Sequence, residues 1–195
     1  MMSNCWGNPA KSCVANIWQA SSWTKIKKLF MNARDEIIDW LRDAYAMERG
    51  LEMVLKKASG RSNYPHIVRF ATEKHLEETR QHADMVEALL KSLGSNTSTV
   101  KTSASVVTNA LAGLGTMVMH DELLKDLLVS YAAEHFEIAA YRAITTAAEI
   151  AGLPNVVDVC HKILLNEEQM AATIGQVLPQ VVQGYLGEQP TARAA

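Results

Sequence analysis

Two glutamates stand in Tyr131-Ala-Ala-Glu-His-Phe-Glu-Ile-Ala-Ala-Tyr141 where a helix should bury apolar side chains, and that conflict constrains the chain more than any other stretch. At about 3.6 residues per turn, Leu127, Tyr131, Glu134, Ile138 and Tyr141 line up as one stripe, the apolar side of a long helix. Glu134 therefore points inward. A lone buried carboxylate costs several kcal/mol unless it is protonated, paired with a cation or bound to a metal, so the rest of the chain must supply its partner.

The pattern recurs. A first long helix is predicted to begin at Asn32, an N-cap followed by Asp35 and Glu36, and to run to about Ala58, where Ser59-Gly60 stops it; the lysine-rich residues from Trp23 to Met31 extend it or form a separate turn. Its stripe is Ile37, Leu41, Ala44, Tyr45, Glu48, Leu51 and Leu55. A second helix, His66 to Leu93, closes at Gly94 and carries Ile67, Ala71, His75, Glu78, His82, Met85 and Leu89 inward. The third spans about Asp121 to Ala151, stopped by Gly152 with Pro154 just beyond. The fourth covers about Asn155 to Gln176, and Pro179 is expected to kink or end it. On that last helix Glu168 and Glu167 fit the inward stripe almost equally well, and periodicity does not separate them.

Between the second and third helices, Ser95 to Ser105 reads as a polar connector and Val106 to Met119 as a short helix or crossover that carries the chain from one end of a bundle to the other. The short loop at Gly60 joins antiparallel neighbours. Tyr45-Ala-Met-Glu48 also matches Tyr131-Ala-Ala-Glu134, so two helix pairs of similar design form a bundle with approximate two-fold symmetry. The expected organisation is an amino-terminal arm over residues 1–31, one all-α four-helix bundle over 32–186, and a polar tail over 187–195.

Composition narrows the function. The 195 residues are 48% hydrophobic, enough for one core, and the net charge of −2 invites no nucleic acid. Cys5, Cys13 and Cys160 form no Cys-x-x-Cys pair, which argues for a reducing compartment and against a four-cysteine iron site. The first residues lack the charged start and apolar run of a secretory signal, and the most apolar tract, Val100 to Met119, is too interrupted to span a bilayer. A cytoplasmic protein with no membrane partner is expected. No phosphate loop, serine nucleophile motif or zinc-type cluster is visible.

What remains is a set of acids, Glu48, Glu78, Glu134 and Glu168, one near the middle of each helix, with Glu137 and His82 a turn from two of them. So many like charges cannot all ionise in an apolar interior unless cations neutralise them, and two divalent metals supply about four positive charges. Carboxylates with one imidazole per metal suit iron or manganese. His82 is the candidate imidazole, four residues after Glu78, whereas Gln81 is a weak neutral ligand at best. His75 and His161 are read as supporting or packed residues and His135 as structural. Tyr45, Tyr131 and Tyr141 are read as hydrogen-bonding and orienting the carboxylates, and Trp40 and Met85 as core.

Four landmarks, Asp43-Ala-Tyr-Ala-Met-Glu48, His75-Leu-Glu-Glu-Thr79, Glu134-His-Phe-Glu-Ile-Ala-Ala-Tyr141 and Glu167-Glu168, together resemble the YciE/YciF-like branch of the ferritin-like superfamily, from about Asp35 to Leu178. The resemblance implies a ferritin-like four-helix bundle, a carboxylate-bridged dinuclear centre usually assigned to iron, and a homodimer. Carried over by position, the ligands would be Glu48, Glu78, His82, Glu134, Glu137 and Glu168. Ala172 stands where relatives can carry an acid, which leaves the second metal a ligand short.

The function expected on this basis is that of a stress-response oxidoreductase holding two iron ions, with manganese the other candidate, and acting on dioxygen or hydrogen peroxide. Ferroxidase, peroxidase and catalase-like chemistry share this hardware, and reducing equivalents would come from outside the chain. The alternative is a non-enzymatic, stress-related bundle that binds partners or metal, and a large iron-storage cage is a third option.

Overall fold

The computed structural model describes the backbone of residues 9–97 and 121–187 and, within these, the side chains from residue 33 onward except that of Ile67. Four helices make up the described structure: α1 (Pro9–Ser59), α2 (His66–Ser92), α3 (Glu122–Ala151) and α4 (Pro154–Gly187). No strand occurs among the described residues. The chain is an all-α four-helix bundle in which α1 pairs with α2 and α3 with α4, while α1 also packs on α3 and α2 on α4. The crossover expected over Val106 to Met119 and the tail beyond Gly187 lie outside the described residues.

The helix ends follow local chemistry. Asp121 caps α3, its Oδ1 accepting from the Leu124 amide at 2.7 Å. At the other end Gly152 adopts φ 68°, and the Leu153 amide donates to the Ala148 carbonyl at 2.9 Å, so the last carbonyls of α3 are satisfied inside a tight reversal. Pro154 then opens α4, where its missing amide has no intrahelical partner to lose. Gly94, at φ 74°, turns the chain away from the end of α2.

Two helix boundaries differ from the sequence expectation. The first helix starts at Pro9, not Asn32, so Trp23 to Met31 extend it and the capping residues chosen for Asn32 lie within a continuous helix. Pro179 does not end α4, which continues to Gly187. A proline ring crowds the carbonyl four residues back, here that of Gly175.

The core is divided unequally along the bundle axis. The larger cluster gathers Ile37, Leu41, Val86, Leu90, Ile144, Val156, Cys160 and Ile163 with Tyr141. A smaller one, Leu51, Leu55, Leu76 and Ala133, lies nearer the α1–α2 loop. At that loop, Arg61 pairs with Glu122 and Tyr64 donates to Asp126 Oδ2 at 2.8 Å, which fastens the loop to the start of α3. Trp40, expected in the core, is 41% exposed, while Met85 packs against the larger cluster as expected. Between the two apolar clusters lies a polar layer.

Candidate metal centre

All four helices contribute to that layer. Glu48 of α1, His75 and His82 of α2, Glu134 and Glu137 of α3 and Glu167 of α4 are all buried. Spacing explains the convergence: Glu134 and Glu137 lie three residues apart and His75 and His82 seven, so each pair shares one face of its helix.

The side chains form two groups with one member in common. His82 Nδ1 lies 2.8 Å from Glu167 Oε1 and 3.8 Å from Glu48 Oε1. His75 Nε2 lies 3.1 Å from Glu134 Oε1. Glu48, His82 and Glu167 can each offer a ligand atom within 4.8 Å of the others, and so can His75, Glu134 and Glu167. Glu167 therefore stands where it can serve both groups. Tyr141 donates its hydroxyl to Glu48 Oε1 at 2.5 Å, and the Asn166 side-chain amide sits 3.1 Å from His82 Nε2. A hydrogen bond at Nε2 sets the ring orientation and leaves Nδ1 facing the acids.

Few of the remaining polar atoms are satisfied by protein. Glu48 Oε2, both carboxylate oxygens of Glu134 and of Glu137, Glu167 Oε1, His75 Nε2 and His82 Nδ1 are buried without a hydrogen-bond partner. Leaving one such atom unpaired costs about 1–3 kcal/mol, so this many in one layer calls for compensation, by protonation, by water or by a bound cation. Protonation reflects the same strain. Burial, then the charge of Glu167, pushes Glu134 up to about 10, and Glu48 and Glu137 are held well above the carboxylate range by burial and by neighbouring acids. Burial lowers His75 to about 4 despite the nearby charges of Glu167 and Glu78. The His75–Glu134 contact thus joins two neutral groups at neutral pH, whatever its ion-pair distance suggests. Cations among these acids would reverse that and let the carboxylates ionise.

Two residues named from sequence stay out of the layer. Glu168 is 39% exposed and pairs with Arg142 on the outer surface, because Glu167 takes the inward position in line with Cys160, Ile163, Met170 and Ile174. Glu78 is displaced to the flank, where Lys74 holds it at 3.0 Å; Thr79 occupies the buried position between His75 and His82. Its charge still reaches His75 and Glu134. His75, read from sequence as a supporting residue, joins the acids directly. Its seven-residue spacing from His82 was the available signal. His135 is exposed, its Nδ1 3.0 Å from the Tyr131 carbonyl, and His161 also faces solvent. So does Ala172, and an acid there would not reach the layer.

Comparison with known proteins agrees with this architecture. A family model described as a domain of unknown function, DUF892, matches residues 32–187. A solved structure from Xanthomonas campestris pv. campestris is 32% identical, covers 81% of this chain and 98% of its own, and superposes with a TM-score of 0.68. The Escherichia coli stress protein YciF is similar at 22% identity over 77% of this chain and 97% of its own, TM-score 0.66. A Bacillus anthracis protein titled ferritin-like, diiron-carboxylate is similar in fold at 15% identity, covering 75% of this chain and 97% of its own, TM-score 0.61.

Proposed function

We propose, for a chain that belongs to the DUF892 family as a YciE/YciF-like member of the ferritin-like superfamily, that the polar layer holds two divalent metal ions, iron or manganese, and acts on dioxygen or hydrogen peroxide. The observation that carries this reading is the set of buried, unpartnered carboxylate and imidazole atoms contributed by four different helices. Glu48, His82 and Glu167 would hold one ion and His75, Glu134 and Glu167 the other, with Glu137 adding charge from α3. Four carboxylates and two imidazoles fit these metals, matching the number of donors in di-iron bundles although their order along the helices differs.

When bound, such metals supply Lewis acidity and redox cycling toward a small oxidant. The chain's own residues set the conditions. Tyr141 donates to Glu48 Oε1, the oxygen that also lies 3.8 Å from His82 Nδ1, and leaves Oε2 without a protein partner. The apolar clusters on either side exclude water, which strengthens every charge interaction between them. We further propose a cytoplasmic homodimer in a stress response, with residues 32–186 as its working domain. The exposed Phe136, Ile150 and Leu165 of α3 and α4 supply apolar surface for the dimer.

Elemental analysis tests the reading. The purified protein, loaded under ferrous conditions, is expected to hold about two metals per chain. Glu134→Ala and Glu167→Ala should each remove at least half of that metal, and Glu168→Ala none. Mixing the ferrous protein with air or peroxide should change its absorbance. Full metal content in both inward variants would sink the proposal, and bound metal without any response to oxidant would leave a non-enzymatic metal protein.

A further inference from the structure

His75 belongs to two features at once. Its Nε2 faces Glu134 inside the polar layer, and its ring also forms the inner wall of a cavity of about 310 Å³ that penetrates the bundle from the α1–α2 loop end. The rest of the wall is mainly apolar, with Leu55, Ala71, Leu127, Met170 and Ile174, and its polar side chains are Thr72, Ser130 and Thr173. Two of its hydroxyls are already engaged: Thr72 donates to the Val68 carbonyl at 2.9 Å and Thr173 to the Gln169 carbonyl at 2.8 Å. The space is largely apolar, with Ser130 and His75 its remaining polar side chains. A hydrated metal ion would gain little from such a lining, and dioxygen or peroxide would fill little of it.

The cavity shares part of its wall with a second, larger one. Val68 and Val177 line both it and an outer hollow of about 700 Å³ at the bundle end, whose wall includes Asn63, Tyr64, Asp121, Gln180 and Tyr185. Among the described residues, neither cavity is lined by a lysine or an arginine. The acids at the outer rim are committed: Glu122 pairs with Arg61, and Asp121 caps α3. Among the described residues the cation at this rim is Arg61, already held by Glu122 and Asp126, whereas a neutral polar head group has amide and hydroxyl partners.

We propose that this cavity binds an uncharged, elongated aliphatic molecule, its alkyl chain against His75 and its polar end in the outer hollow. At ordinary interior packing the inner cavity accepts roughly ten carbon atoms. The proposal is one of binding beside the candidate metal centre and rests on that reading only for the neighbourhood of the two, because His75 lines the cavity and also contacts Glu134.

1-Decanol is the probe, titrated by calorimetry into the full chain, with metal per chain measured on the same preparation. Saturable binding of one molecule per chain is expected, weakened at least tenfold by Ala71→Phe, which fills the cavity, and by Val177→Trp, which narrows its mouth. Metal content should be unchanged in both variants, and decanoate should bind at least tenfold more weakly than decanol. Absence of saturable decanol binding, or binding undiminished in both variants, overturns the proposal. Decanol bound by a chain that takes up no metal would sink the metal centre while supporting the cavity, so the two failures are distinguishable.

Discussion

At the scale of single residues, the decisive choice is made by Glu167 rather than Glu168. Adjacent positions on a helix differ by about 100° in direction, and a stripe drawn through Leu164 and Ala171 admits either glutamate. Packing settled it: Ile163, Met170 and Ile174 turn Glu167 inward, and Arg142 on the neighbouring helix holds Glu168 outside. The same reasoning covers Glu78 and Thr79, because Lys74 offered Glu78 a partner at the surface that no sequence stripe could weigh. Glu48, Glu134 and His82 were legible because each sits in its apolar stripe, and Glu137 because it lies one turn from Glu134. A residue-level test follows from Tyr141. Replacing it by Phe removes the hydrogen bond to Glu48 and should cost about 1–2 kcal/mol in urea unfolding of the metal-free protein. Unchanged stability would show that the hydroxyl does not hold the acid. Protonation gives a second test. Glu134 holds its proton in the folded state up to about 10 but loses it near the ordinary carboxylate value when unfolded, so its stabilising contribution is complete below about 4.5 and is lost as pH rises toward 10. Glu48 and Glu137 act in the same direction. His75 acts oppositely, losing its contribution as pH falls from 6.5 toward 4. The urea midpoint of the metal-free protein should therefore fall between about pH 5.5 and 8.5, and metal loading should flatten that slope. A midpoint rising over this interval would contradict the assigned protonation.

At the scale of elements, punctuation was the readable part. Asp121, Gly152 and Pro154 marked the ends of α3 and the start of α4 because each acts through its own backbone geometry. Asn32 and Pro179 misled for the opposite reason: a good capping residue does not oblige a helix to start, and a proline does not oblige one to stop when flanking residues keep the helix going. Gly152→Ala puts a Cβ on a residue at φ 68° and should destabilise by about 1 kcal/mol. Asp121→Ala should cost a similar amount, about 1 kcal/mol, by freeing the Leu124 amide. The two sites lie at opposite ends of α3, so the double variant should lose about 2 kcal/mol in thermal or urea unfolding, with a coupling below about 0.5 kcal/mol. A larger coupling would mean that the helix end and its cap communicate through the bundle.

At the scale of the whole molecule, the four-helix bundle was legible from four apolar stripes joined by recognisable turns, whereas the cavity beside His75 was not. A cavity is what packing leaves unfilled, and no single residue announces it. Size-exclusion chromatography with light scattering should find two chains per particle; a particle of twelve or more chains would replace the proposed dimer by a cage. The lopsided core has a bearing on how the protein breathes. Most apolar contacts gather around Leu41, Val86, Ile144 and Ile163, and only a small cluster backs the end fastened by Arg61 and Tyr64. Thermal opening should begin at that thinner end, with backbone amides around Ser130 to Ala133 exchanging with deuterium sooner than those around Ile144 to Ala148. The bundle would then behave as a hinged purse, parting at its clasp to let small cargo pass while its seam stays sewn.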